Sequence, residues 1–189
     1  MASFAGPKRA MILGAAALSL AMSGCDEGDP VSADVVAVKI AGKTFYLELA
    51  ADNAKRMKGL GGRKHIEDDG GMLFAFMPSQ ARVQSFLMRD CPIDMDILYC
   101  DGAGRVLTTH TMKAEAPRKT DGSEGKEGEY ATGNPANPSD KYEDRLPKYS
   151  SRFPSTFVIE IQAGMVKKLG VKEGDQIGMD APVLKARAR

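Results

Sequence analysis

The sequence holds no tryptophan, two histidines and three cysteines in 189 residues. Two imidazoles are too few for a His-rich metal site, and three thiols are too few for a disulfide scaffold. A dominant charge of one sign is missing as well. Lys and Arg number 26 against 25 Asp and Glu, a formal net charge of +1. That balance argues against a nucleic-acid binder working through a basic field. There is no apolar run long enough to cross a bilayer core of about 30 Å as a helix. What is present is a hydrophobic share of 43%, enough for a globular core and incompatible with wholesale disorder. The length fits one domain.

The first residues read as a targeting segment. Lys8 and Arg9 form a basic start, Ala10 to Ala21 an apolar stretch, and Ser23 and Gly24 precede Cys25. This is the layout of a secretory signal peptide. Met22-Ser23-Gly24-Cys25 resembles a bacterial lipobox, which implies that residues 1–24 are removed and Cys25 is lipidated. Residues 25–34 then form a tether. Without residues 1–24 the chain keeps 165 residues with 24 bases and 25 acids, a charge of −1. The expected location is the periplasmic side of the inner membrane or the outer membrane, held by lipid at Cys25.

The remaining chain alternates short apolar segments with Gly, Asp and Pro turns. Val36, Val38 and Ile40 share one strand face and Phe45, Leu47 and Leu49 another, with Ala41-Gly42-Lys43 between them: a β-hairpin. Asp52 is placed to cap a short helix ending at Gly59. Strands are expected at Met72–Phe76, within Val83–Arg89 and Ile93–Tyr99, at Arg105–Met112, from Thr156 to Gln162, and around Gln176–Met179. Residues 113–148 differ, with eight acids, seven bases, four prolines and four glycines. Such composition predicts a long charged surface loop with a helical turn near Tyr142–Leu146. The expectation is a mainly β fold over residues 35–185. It would be a single compact β-sandwich or irregular barrel with one or two short helices.

An ordered set of motifs runs through this region. Arg56-Met57-Lys58-Gly59-Leu60 is followed by Arg63, then by Gly71-Met72-Leu73-Phe74-Ala75-Phe76. Phe86-Leu87-Met88-Arg89-Asp90 leads into Ile93-Asp94-Met95-Asp96-Ile97. Tyr149-Ser150, Ile159-Glu160-Ile161-Gln162-Ala163-Gly164 and Leu169-Gly170-Val171 with Gly174-Asp175 come later. In order and spacing the set resembles the bacterial and archaeal family called domain of unknown function 192, over roughly Val35 to Ile177. The resemblance implies a compact, mostly β, often exported domain and supplies no reaction. The family usually has tryptophan where this chain has Leu87, and an Asn-Thr pair where it has Asp90-Cys91.

Several residues are candidates for chemistry. Arg56 and Arg63 flank a Gly-rich turn, where they could bind a carboxylate or phosphate, or pair internally with Asp96 or Glu160. Asp94 and Asp96 lie two apart on a strand-like run, a spacing for shared protons or for backbone capping. Cys91 and Cys100 are an even pair in an oxidising compartment. Their near-extended spacing reaches about 30 Å, however, against the limit of about 7 Å for bridged Cα atoms. Met72, Met77, Met88, Met95, Met112 and Met165 lack a metal-binding repeat and read as core filler. The expected ligand-binding set is Arg56, Arg63, Met88, Asp96 and Glu160, with no metal and no cofactor.

Three functions follow as expectations. The first is a non-enzymatic, membrane-tethered module for a small ligand or an envelope partner. The second is a hydrolase or transferase using Asp94/Asp96 or Cys91. The third is a structural assembly lipoprotein. None involves nucleic acid.

Overall fold

The computed structural model describes residue 1, residues 34–124 and residues 141–189. Cys25, its tether to residue 33 and the middle of the charged insert lie outside the described residues. The fold below belongs to one unit, Val31–Arg189.

The hairpin forms as the alternation requires. Strand β1 (Val35–Ile40) pairs antiparallel with β2 (Lys43–Ala50), from Val35 opposite Glu48 to Ile40 opposite Lys43. Ala41 and Gly42 both take positive φ, 47° and 86°, which matches a two-residue turn to strand twist. Helix α1 (Asn53–Lys58) follows; the Asp52 carboxylate accepts from the Lys55 N–H at 2.9 Å, and Gly59 closes it. Strand β3 (Met72–Ala75) lies parallel to β2. A 3-10 turn at Pro78–Gln80 leads into β4 (Arg82–Phe86). Strands β5 (Met95–Cys100) and β6 (Val106–Met112) form a second hairpin. After α2 (Lys141–Arg145) come β7 (Tyr149–Ser155) and β8 (Phe157–Gln162). Helices α3 (Met165–Leu169) and α4 (Ala181–Arg187) end the chain.

The large sheet is mixed, in the order β1-β2-β3-β8-β5-β6, and a small sheet pairs β4 with β7. The architecture is mainly β and sandwich-like, with few short helices. The barrel alternative is not adopted, because β1 and β6 remain outer strands. The central strands are buried on both faces, so alternate residues enter two cores. On one face Leu73, Leu98, Phe157, Ile159 and Ile161 pack with Met165 of α3 and Leu184 of α4. On the other, Phe74, Ile97, Tyr99 and Val158 pack with Leu60, Met88 and Cys91. Phe86 of β4 stands edge-on to Phe74 (5.0 Å) and Tyr99 (5.8 Å), which locks the small sheet onto this second face.

Four expectations need correction. The next strand begins at Tyr149, not at Thr156: β7 is an edge strand whose Pro154 and polar residues hide it from period-two patterning. Around Gln176–Met179 only two isolated bridges form, Arg105 with Gln176 and Lys39 with Gly178. Beyond them α4 runs to Arg187 and brings the α-helices among the described residues to four, against the one or two expected. Asp180 caps it through the Val183 N–H at 3.1 Å with proline in the first turn, a start signal present in the sequence. The charged insert is also not wholly a solvated loop. Tyr142 and Leu146 are buried, and the Tyr142 hydroxyl accepts from the Asp90 N–H at 2.9 Å.

Gly71 sits where β3 approaches β8. Its φ is +143°, and a Cβ there would lie 2.1 Å from the Glu160 carbonyl oxygen. Gly71→Ala is therefore expected to cost about 2–5 kcal/mol through backbone strain and overpacking. Urea unfolding measures this, and an unchanged midpoint would contradict it.

Candidate functional site

Sheet parity separates the two carboxylates that the sequence grouped. On β5 and β8, Asp96 faces Ile161 and Ile97 faces Glu160. Ile161 belongs to the first core and Ile97 to the second. Asp96 and Glu160 thus occupy opposite faces of the large sheet.

Asp96 is fully buried. One carboxylate oxygen accepts from Thr111 Oγ1 and the other from the Val166 N–H, both at 2.8 Å. It fixes β6 and the first turn of α3 to β5, the capping alternative for this pair. Asp94 is committed elsewhere, accepting from Lys113 Nζ at 2.6 Å and the Ala114 N–H at 2.8 Å. Lys113 and that N–H hold its carboxyl below the usual carboxylate range. The two aspartates share no partner in these bonds.

The arginines part in the same way. Arg63 forms a two-pronged pair with Glu48, both contacts at 2.6 Å. Arg56 pairs with neither Asp96 nor Glu160. Its guanidinium donates to three backbone carbonyls: Ala51 and Ala75 at 2.9 Å and Arg189 at 2.7 Å. It also lies 5.1 Å over the Phe76 ring. Burial, its largest influence, lowers its basicity. Met88 is buried among Cys91, Met95 and Leu60.

Two of the five expected ligand residues, Arg56 and Glu160, line one cleft of about 280 Å³ between α1, β3 and β4. Phe74, Phe76 and Phe86 supply its apolar surface. Lys58, Arg82 and Arg89 add cationic groups, and Glu160 is the sole acid among the described residues of its lining. Arg89 reaches Glu143 of α2 and the Met57 carbonyl, which ties the insert to this wall. Arg82 is exposed and forms no side-chain hydrogen bond or ion pair with the described residues. Leu87, where the resemblance expects tryptophan, also lines the cleft.

Glu160 is 5% exposed, and its carboxyl has no hydrogen-bond or ion-pair partner among the described residues. Burial alone pushes it up to about 8, so it is predominantly neutral at pH 7. Gln84 of β4, which patterning did not single out, lines the same cleft at 6% exposure. Its Nε2 is buried without a partner among the described residues. Its neighbours Arg82 and Ser85 are polar as well, so no local pattern marks Gln84 as buried. Cys91 lines the cleft too, but burial first, then the Glu160 and Asp90 charges, push its thiol up to about 12. A thiol so protonated is a poor nucleophile. Cys91 and Cys100 are both buried and unbonded. Among the described residues no three His, Cys, Asp or Glu side chains gather as metal ligands, and no helix is long and apolar enough to cross a membrane.

Fold and cleft define a mixed-sheet β domain with one acid and several cations around an apolar recess. The chain belongs to the DUF192 family, described as Uncharacterized ACR, whose family model matches residues 36–179. Two solved structures are similar. One, from Sinorhizobium meliloti 1021, is of a protein proposed to be a transcription regulator. It shares 27% identity at TM-score 0.54, covering 78% of this chain and 92% of that one. The other, a protein of unknown function from Novosphingobium aromaticivorans DSM 12444, shares 25% identity at TM-score 0.53, covering 76% and 83%. No curated protein matches the chain.

The buried carboxyl sets a pH dependence. In the unfolded chain a glutamate ionises near about 4.3. Between that value and about 8 the folded chain keeps a proton that the unfolded chain has released. Stability therefore falls as pH rises through this window and levels off above it. Glu160→Gln removes the effect. Relative to this variant, the wild type is expected to lose on the order of a few kcal/mol between pH 5 and pH 8. Urea unfolding of both proteins at both pH values measures it, and a constant difference would refute the assignment.

Proposed function

We propose that this chain is an exported, lipid-anchored module that binds a small ligand in the cleft between α1, β3 and β4 and does no chemistry on it. The observation that carries this reading is the state of the groups that could react. Cys91 is held protonated by burial, and Asp94 and Asp96 are spent on hydrogen bonds away from the cleft. The cleft itself offers apolar walls and cations, the composition of a binding recess.

Lipid anchoring at Cys25 rests on the basic start, the apolar stretch and the lipobox-like Met22-Ser23-Gly24-Cys25. The periplasmic side of the inner membrane or the outer membrane follows from it. The transcription-regulator role proposed for the S. meliloti protein gains no support here from charge, if it were to act through a basic field on nucleic acid. Residues 25–189 carry 24 bases against 25 acids.

Two measurements test the proposal. Metabolic labelling with an alkynyl fatty acid is expected to mark the wild-type chain and not Cys25→Ser; equal labelling would refute the anchor. A thermal-shift screen of the detergent-purified full chain against small acids, amines, sugars and short peptides is expected to yield a stabilising compound. At a hundredfold excess over Kd the rise is roughly 5–10 °C. Ser85→Trp, which fills the cleft wall, should abolish it. A screen without any stabilising compound would sink the binding role.

A further inference from the structure

Two buried polar residues line the same cleft, neither side chain makes a hydrogen bond with the described residues, and they come from different sheets. Glu160 stands on β8 of the large sheet and Gln84 on β4 of the small one. Buried polar groups in folded proteins are nearly always satisfied. Two left open in one recess mark a place where something else completes the bonding. A neutral carboxyl offers one O–H donor and an acceptor, and the Gln84 amide offers N–H donors. Together they fit an uncharged hydrogen-bonding group, such as a hydroxyl, that both accepts and donates.

The remaining lining constrains the rest of the ligand. Phe74 and Phe86 flank the recess with aromatic surface, and a ring packs well against such edges and faces. Arg82 has an exposed guanidinium with no partner among the described residues, and Lys58 is a second cation lining the cleft. Among the described lining residues the one acid, Glu160, is kept mostly protonated at neutral pH by its burial. The field at this recess is positive, which favours an anion and opposes an amine. A volume of about 280 Å³ admits one small molecule.

From this juxtaposition we infer that the cleft takes a small hydroxyaryl carboxylate, its hydroxyl between Glu160 and Gln84, its ring against Phe74 and Phe86, and its carboxylate on Arg82. The inference rests on the binding role proposed above and names its ligand class. Orientation follows from charge. A carboxylate placed at the buried end would lose its hydration without a paired cation, whereas at Arg82 it keeps water and gains a charge-assisted bond.

The test uses the detergent-purified full chain at pH 7, with calorimetric titration of 4-hydroxyphenylacetate, phenylacetate and tyramine. The three probes share a ring and differ in one group each. We expect 4-hydroxyphenylacetate to bind at least about tenfold more tightly than phenylacetate, because the latter leaves the buried pair unmet. Tyramine, with the charge inverted, should not bind. Gln84→Leu is expected to bring the two acids to within about threefold of each other, and Arg82→Ala to weaken both by about tenfold. Glu160→Gln, still a donor and an acceptor, should retain binding, and Glu160→Leu should lose the preference for the hydroxyl. Ligand-free melting curves identify any variant that fails to fold, and exposed Arg82→Ala remains informative if the buried variants do fail. Equal affinity for the two acids, binding of tyramine, or indifference to Arg82→Ala would each overturn the inference. Binding of tyramine in place of the acids leaves the binding role standing and removes only the ligand class. Failure of every compound in the wider screen removes both.

Discussion

Three backbone carbonyls converge on one guanidinium, and the cleft depends on that convergence. Arg56 gathers the carbonyls of Ala51, just after β2, Ala75, the end of β3, and Arg189. Each would otherwise need its own partner, since backbone acceptors near a core are costly to leave bare. The planar fork suits this task better than an ammonium, because its donors leave at fixed angles and reach several acceptors together. By holding α1 to the ends of β2 and β3, the bond set fixes one wall of the recess. The opposite wall is fixed independently, by Phe86 wedged between Phe74 and Tyr99.

The two faces of the large sheet carry different work. On the face of α3 and α4, Asp96 spends both oxygens on structure and the core is otherwise apolar. On the other face a carboxyl of the same chemical type has no partner among the described residues, and burial pushes it toward its neutral form. The difference is not one of residue type but of what each face meets. A helix N–H and a threonine reach Asp96, whereas Glu160 looks into a recess. Thiols follow the same rule. Cys91 and Cys100 are kept as small protonated core residues, and their chemistry is suppressed by the burial that makes them good packing.

Much of the fold was legible because β2 advertises itself by the alternation of Phe45, Leu47 and Leu49, and β8, buried on both faces, by the apolar run around Phe157, Ile159 and Ile161. Turn chemistry marked the hairpin at Ala41-Gly42, and Asp52 marked α1. β7 was not legible, because an edge strand with Pro154 needs no apolar period and is held by pairing with β4 and by Tyr99 and His110 donating to the Tyr149 and Ser150 carbonyls. α4 was overlooked although Asp180 and Pro182 signalled it, since a seven-residue helix shows barely two turns of periodicity. The site was half legible. Arg56 stood out beside a Gly-rich turn and Glu160 inside an apolar strand motif, and the structure brings them to one cleft. Arg63, Met88 and Asp96 it sends elsewhere. Which face a strand residue occupies depends on register with partners tens of residues away, and no local pattern carries that.

The position of β8 has a consequence for how the chain acquires its shape. It is the last strand in sequence, yet it lies between β3 and β5 and is hydrogen-bonded to both. Until it arrives, the first three strands and the β5–β6 hairpin are separate half-sheets, each with an unpaired apolar edge. The sheet cannot be completed from its N-terminal part, however much of the chain has emerged. Loop closure over residues 76 to 156 must precede the central pairing, a long-range search of the kind that slows folding. A chain interrupted before Phe157 keeps both edges bare, open to pairing with other copies. Quality control for this protein therefore reduces to a single event, the insertion of its last strand.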